Sequence, residues 1–161
     1  MNTQTEQHER LIEHIKGIRR IVINDCYGGF GLSNDAVLRY LELLGKPVWS
    51  EIDEKWKSLE MWKYWLVSPD AERVDASPDN WHDMTMAERI AHNQAYKQQV
   101  FDPKDIARDD PYLVQVVEEL GKDASGKHAK LKIVEIPAYV EWQIEEYDGN
   151  EWVAEAHRTW R

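Results

Sequence analysis

The feature that most constrains this chain is a strand, a glycine-rich turn and a helix that follow one another between residues 18 and 47. Residues 18–23 end in three consecutive large apolar residues, a pattern typical of a buried strand. The glycine turn, residues 26–33, comes next and carries three glycines. Ser33 can cap the helix that follows, and Gly45 can end it in a left-handed conformation. This unit predicts a strand and a helix joined by a tight connection.

Two further helices have clear start signals. Residues 85–88 form a Thr-x-x-Glu capping box, which predicts a helix running to about Gln99. Asp110 followed by Pro111 predicts a second helix, because Asp is a favoured cap and Pro is favoured at the first helical position. Leu113, Val116, Val117 and Leu120 share its apolar face, and Gly121 ends it.

The last third of the chain predicts strands. Residues 131–136 alternate as a strand that stops at Pro137, and a hairpin follows around Asp148 and Gly149. A two-residue loop would place Trp142 opposite Glu155, whereas a three-residue loop would place it opposite Ala156. Because a one-residue shift turns the whole apolar set to the other face, burial favours the three-residue loop.

These elements predict an α+β fold, with a mostly antiparallel sheet of about four strands and helices packed on one face. The 161 residues suggest a single domain. Its core would comprise residues 18–47 and 105–161, and residues 48–100 would be a Trp-rich, largely helical insert. A weaker apolar pattern predicts a short helix over residues 4–16.

Composition excludes several functional classes. The formal net charge is −10, so the phosphate backbone would repel the chain, and general nucleic-acid binding is not expected. The single cysteine fits a reducing compartment, and neither a signal peptide nor a spanning apolar run is recognisable. A cytoplasmic protein without a membrane anchor is therefore expected. The histidine spacing predicts no metal site, and no motif indicates a cofactor.

The glycine turn is the best candidate for a functional site. Backbone N–H groups at a helix N-terminus favour an anion, and glycines let a ligand approach the backbone closely. The spacing matches neither a Walker A motif nor the dinucleotide fingerprint. The structural alternative is a tight turn that only packs helix against strand. The candidate ligand-binding residues of this region are Asn24, Asp25, Tyr27, Gly28, Gly29, Phe30, Gly31 and Ser33.

Cationic and aromatic residues elsewhere could complete such a site. Arg108 could clamp a phosphate, or could pair with a neighbouring carboxylate. His157, Arg158 and Trp160 combine charge with a stacking ring in an acidic chain, or form a terminal strand that covers the core. Cys26 near a helix N-terminus is a candidate nucleophile, although a buried structural thiol is the simpler interpretation.

Two stretches carry a family resemblance. They are residues 21–33, Ile-Val-Ile-Asn-Asp-Cys-Tyr-Gly-Gly-Phe-Gly-Leu-Ser, and a set from Arg108-Asp109-Asp110-Pro111 to His157-Arg158-Thr159-Trp160. The chain thereby resembles a family of short, uncharacterised proteins encoded mainly by bacteriophages and other large DNA viruses. The resemblance covers about the first and last thirds of the chain and implies a phage protein that acts by binding.

Three functional hypotheses follow. The first is a non-catalytic protein that sequesters a small phosphorylated ligand, such as a cyclic-nucleotide or ADP-ribose-type immune signal. The second is an inhibitor that binds a host protein through its acidic, Trp-rich surface. The third is a small enzyme that uses Cys26, Asp25 or His157. With the first hypothesis a homo-oligomer is expected, because several Trp residues would gain from a partner surface.

Overall fold

The computed structural model describes residues 17–156 of the chain. The predicted helix over residues 4–16 and the predicted site residues His157, Arg158 and Trp160 lie outside this range. The described part forms two compact units. The first comprises residues 17–36 and 106–156, and the second is Val37–Asp105. The sequence placed the insert at residues 48–100, so the observed division falls earlier in the chain, inside the first helix.

The first unit contains four strands and a helix. Strand β1 (Ile18–Asn24) pairs antiparallel with β5 (Leu131–Pro137), and β6 (Trp142–Tyr147) pairs antiparallel with β7 (Asn150–Glu155). Helix α3 (Pro111–Leu120) contacts both β1 and β5. The fully buried side chains of Ile21, Val22, Leu113 and Val116 form the centre of this unit.

The second unit contains a three-stranded antiparallel sheet. Its strands are β2 (Trp49–Ile52), β3 (Trp62–Trp65) and β4 (Val100–Phe101), in that order. Helix α1 (Asn34–Leu43) begins in the first unit and continues into this one, and helix α2 (Met86–Gln99) leads directly into β4. Within Val37–Asp105 the buried side chains are Val37, Tyr40, Leu41, Tyr64 and Trp65.

The α+β class is confirmed, and every strand pair is antiparallel. The strands form three small sheets of two, three and two strands, rather than a single sheet of about four. The second unit contains three strands that were not predicted from the sequence. Charged and aromatic residues are mixed there, and their order gives no clear strand period.

The helix boundaries follow the predicted caps. The Ser33 hydroxyl accepts a hydrogen bond from the N–H of Ala36 at 3.1 Å, and Gly45 has a φ of 65°. Asp110 accepts from two N–H groups of the first turn of α3. Thr85 and Glu88 form the full capping box of α2. Local cap chemistry was therefore sufficient to locate these ends.

The predicted hairpin register is wrong. The loop has two residues, and Trp142 lies opposite Glu155. Asp148 and Gly149 have φ values of 50° and 83°, as a two-residue primed turn requires, and such a turn matches the twist of the flanking strands. Trp152 lies opposite Glu145 and donates its ring N–H to that carboxylate at 3.1 Å. Turn geometry outweighs burial here because a tryptophan can pair with a carboxylate on an exposed face.

The capping box predicts a pH dependence of stability. Hydrogen bonds from Thr85 lower the pKa of Glu88 below its ordinary value of 4.5. A lowered folded-state pKa stabilises the protein above the ordinary value, and this stabilisation is lost as the pH falls through the folded value. We expect Glu88→Gln to destabilise the protein at neutral pH and to have a smaller effect well below pH 4.5.

Urea unfolding of both proteins at the two pH values measures this difference. Glu141→Gln, which changes an exposed carboxylate between β5 and β6, is the control and should change the free energy of unfolding by no more than about 0.5 kcal/mol at either pH. A destabilisation by Glu88→Gln that is equal at both pH values would contradict the prediction.

Candidate functional site

Asn24, at the end of β1, organises the surroundings of the glycine turn. Its side chain is fully buried. The amide Nδ2 donates to the carbonyl oxygens of Cys26 and Gly149, both at 2.7 Å. Oδ1 accepts from the N–H of Lys130 at 2.8 Å and from the Cys26 thiol at 3.3 Å. Because an asparagine amide has two N–H donors and two lone pairs, its hydrogen-bonding capacity is fully used inside the protein.

The glycines allow three backbone segments to pack closely. A Cβ atom on Gly28 would overlap the carbonyl oxygen of His128, and one on Gly149 would lie 2.6 Å from the nitrogen of Gly29. Gly31 differs, because a Cβ atom there would meet nothing within 4 Å. Gly28 and Gly149 are therefore required by packing, whereas the Cα of Gly31 faces open space.

Arg108 is engaged inside the first unit. Its guanidinium forms two hydrogen bonds with the Glu151 carboxylate, both of 2.9 Å, and lies 3.3 Å from the centroid of the Phe30 ring. The two charged side chains are 21% and 10% exposed. The sequence alternative in which Arg108 pairs with a carboxylate matches this arrangement, although the partner is distant in sequence. Arg108 and Phe30 thus hold the glycine turn in place.

The Arg108–Glu151 pair also provides hydrogen-bond partners along the edge of β1 that does not pair with β5. The N–H of Val22 donates to the carbonyl oxygen of Arg108 at 2.8 Å, and the N–H of Asn24 donates to Glu151 at 2.9 Å. The Arg108 guanidinium also donates to the carbonyl oxygen of Val22 at 3.2 Å. The salt bridge and the Arg108 carbonyl therefore provide hydrogen bonds that a neighbouring strand would otherwise make.

Ser33 acts as a helix cap and as a bridge. Its N–H donates to the carbonyl oxygen of Ala124 at 2.9 Å, and its hydroxyl donates to that of Asp123 at 2.6 Å. The same hydroxyl accepts from Ala36, the bond that caps α1. The start of the helix is thus joined to the 3-10 turn Gly121–Ala124, and the Ser33 hydroxyl is used within the protein.

A basic segment, residues 127–130, lies directly against the glycine turn. Its side chains Lys127, His128 and Lys130 are exposed. The carbonyl oxygen of Lys130 accepts from the N–H of Asp25 at 2.8 Å, and that of His128 accepts from the Cys26 thiol at 3.3 Å. The Lys130 ammonium lies 3.7 Å from the Asp25 carboxylate. Backbone hydrogen bonds of Lys130 and His128 therefore hold the basic segment beside the turn.

Two exposed tyrosines flank the place where the glycine turn meets the hairpin turn. Tyr27 is 68% exposed and Tyr147 is 71% exposed. They are brought into the same region because Gly149 packs against Gly29 and the carbonyl oxygen of Tyr27. This surface combines exposed rings with the nearby basic segment.

Glu151, Tyr147 and the basic segment were not predicted from the sequence. Residues 127–132 hold three lysines and a histidine in a chain of net charge −10, and that local excess was the available signal. The structure gathers the predicted residues 24–33 and Arg108 in one region of the first unit. Their role in ligand binding stays a prediction.

The thiol of Cys26 is engaged in contacts within the protein. Its sulfur contacts two oxygen atoms, the side-chain amide oxygen of Asn24 and the carbonyl oxygen of His128. Neither oxygen is a base that could take a proton from the thiol, as a nucleophilic mechanism requires. Asp25 lies nearby and faces Lys130. These contacts favour the structural role for Cys26 over the nucleophilic one.

Residues 17–156 contain no cluster of three or more His, Cys, Asp or Glu side chains placed to hold a metal ion. No helix in this range has the length and apolar character needed to cross a membrane. Comparison of the chain with protein-family models, with curated proteins and with solved structures gives no match.

Backbone packing predicts that two glycine substitutions differ strongly in their cost to the stability of the protein. Gly28→Ala should lower the free energy of unfolding by at least about 3 kcal/mol, because its new methyl group overlaps the backbone of His128. Gly31→Ala should change it by no more than about 1 kcal/mol, because the methyl group meets open space. Chemical denaturation of the two variants provides the measurement, and equal costs would contradict this account of the turn.

The Arg108–Glu151 pair predicts a large cost for removing one partner. Glu151→Ala leaves the guanidinium unpaired and removes the acceptor of the Asn24 N–H, so we expect a loss of about 3 kcal/mol. Glu155→Ala, an exposed change on the same strand, should alter stability by no more than about 0.5 kcal/mol. Unfolding in urea compares them, and a Glu151→Ala protein as stable as the control would refute the proposed edge role.

Proposed function

We propose that this chain is a non-catalytic binding protein that captures a small phosphorylated ligand of nucleotide type at the glycine turn. One observation carries the proposal: the basic segment, residues 127–130, is fixed by hydrogen bonds against the turn, beside an exposed tyrosine. Phosphate recognition needs cations, and base recognition needs an exposed aromatic face. Both occur together in this region of an otherwise acidic chain.

The phosphate end of the ligand would contact the basic segment. Lys130 and His128 are exposed and sit on backbone that is held at defined positions. Because the backbone of these two residues is already held, binding would cost little backbone entropy there, and more of the attraction for phosphate would appear as affinity. At Gly31 the space that a side chain would occupy is open, so a ligand could approach its Cα closely.

The base end would stack on tyrosine. Tyr27 is largely exposed to solvent, and so is Tyr147 at the end of β6, next to the hairpin turn. Stacking of a base on an aromatic side chain is worth about 1–3 kcal/mol and does not require a specific base. The carboxylate of Asp25 could accept a hydrogen bond from a ribose hydroxyl, since it lies beside Lys130.

The predicted site residues take two roles in this proposal. Tyr27, Gly31 and Asp25 would contact the ligand. Asn24, Gly28, Gly29, Phe30, Ser33 and Arg108 would shape the site, because packing or internal hydrogen bonds already use them. His157, Arg158 and Trp160 are included in the proposed site on the basis of the sequence alone, as additional charges and a stacking ring.

The biological setting follows from the family resemblance. A phage protein of this kind would act in the host cytoplasm, where it would sequester a nucleotide immune signal without degrading it. Stoichiometric capture without turnover needs neither a nucleophile nor a base, in agreement with the contacts of Cys26.

Calorimetry against a panel of linear and cyclic nucleotides and ADP-ribose derivatives tests the proposal. We expect stoichiometric binding of at least one phosphorylated compound, and intact nucleotide should be released when freshly purified protein is heated. Lys130→Glu should weaken binding at least tenfold by reversing a charge beside the phosphate. Tyr27→Ala should weaken it about tenfold by removing the stacking ring.

Two matched controls separate site effects from general ones. Lys97→Glu makes the same charge change on helix α2 in the second unit, and Tyr139→Ala removes a ring that is 56% exposed outside the site. Both should bind like the unmodified protein. The proposal fails if no compound binds, if the ligand is broken down, or if the controls weaken binding as much as the site variants.

A further inference from the structure

The connection between β2 and β3 is apolar and exposed. We call residues 53–63 the apolar tip; it includes the 3-10 segment Glu54–Leu59, which has no buried residue. Four large apolar side chains fall within seven of its residues: Trp56, Leu59, Met61 and Trp62, exposed by 46%, 59%, 50% and 39%. Contiguous exposed apolar surface on a soluble protein marks an interaction site, whereas single exposed apolar residues do not.

Hydrogen bonds of the backbone hold the tip in shape. Asp53 caps the 3-10 segment by accepting from Lys55 at 3.0 Å, and its own N–H donates to the carbonyl oxygen of Met61 at 2.8 Å. Glu60 adopts a left-handed conformation with φ of 53° and donates its N–H to Lys57 at 3.1 Å. The apolar side chains are thus presented on an ordered frame that does not bury them. An interface of this kind loses little conformational freedom on binding.

The charge of the tip differs from that of the chain. Residues 53–63 contain three acidic residues and three lysines, whereas the whole chain carries −10. Two of the lysines face tip carboxylates, Lys57 with Glu54 at 3.5 Å and Lys63 with Asp53 at 3.4 Å. Two copies of an acidic protein repel each other least where they meet through a neutral surface, because screening limits repulsion to about 8 Å at physiological salt.

The balance of charge on the tip indicates which kind of partner would bind there. A basic partner would be drawn to the acidic stretch 68–83, which has five acidic residues and one arginine, rather than to the tip. An acidic partner would find no excess of positive charge on the tip. A second copy matches it, since a two-fold contact needs a self-complementary surface, and here apolar side chains are surrounded by equal numbers of both charges.

We propose that the apolar tip is a self-association surface, through which a second copy of this chain binds. Trp56 and Trp62 would be the central anchors, with Leu59 and Met61 packed around them. The charged residues of the tip would form the rim. This inference is independent of the ligand site, because the tip contains none of its residues.

Sedimentation velocity over a hundredfold range of protein concentration tests the proposal. The unmodified chain should pass from monomer to dimer within that range. Leu59→Glu, and the double variant Trp56→Glu with Leu59→Glu, should remain monomeric or weaken association at least tenfold, because each copy would bring charge into the apolar centre. Both substitutions are exposed, and circular dichroism should show an unchanged fold.

Met86→Glu is the matched control. It adds the same charge at a methionine that is 71% exposed at the start of α2, outside the tip, and it should dimerise like the unmodified chain. A chain that is monomeric at every concentration would overturn the proposal, even if it captured another protein through the tip. Dimerisation that survives the tip substitutions, or that Met86→Glu also abolishes, would overturn it as well.

Discussion

The first unit depends on how the open edge of β1 is satisfied. One edge of this strand pairs with β5, and the other would expose the N–H groups of Val22 and Asn24. The Arg108 carbonyl and the Glu151 carboxylate accept these two hydrogen bonds. A bare strand edge invites pairing with another chain, and here a salt bridge occupies it. The ion pair is therefore part of the sheet rather than a surface contact, and the loop before α3 and strand β7 are tied to β1 through it.

The shape of the glycine turn follows from that arrangement. Once β7 is held beside β1, the hairpin turn lies over the glycine turn, and Asn24 links the two through Cys26 and Gly149. Side chains at Gly28 or Gly149 would force these segments apart. Gly28 and Gly149 are needed for close packing, whereas a side chain on Gly29 or Gly31 would meet open space. Under the proposed function, a ligand would therefore approach the turn at these two glycines and the basic segment.

Local signals in the sequence predicted local structure well. The caps at Ser33, Thr85 and Asp110 each require only neighbouring backbone, so their residue types locate the helix ends. The pairing of Arg108 with Glu151 joins residues 43 positions apart, and no pattern in the sequence encodes that distance. The hairpin register failed for a different reason. Burial was weighed above turn chemistry, although the Asp-Gly pair favours a two-residue loop. The candidate turn was found by its glycines, whereas its cations came from a segment about 100 residues away.

The distribution of charge connects these observations. A net charge of −10 opposes both the proposed phosphate binding and the proposed self-association. Charges separated by more than about 8 Å are largely screened at physiological salt, so each surface is governed by its own neighbours. Beside the glycine turn those neighbours include Lys127, His128 and Lys130, and around the apolar tip the charges cancel. Under the proposed function, the acidic remainder would repel nucleic acid, and small phosphorylated molecules would be the anions able to approach the basic segment.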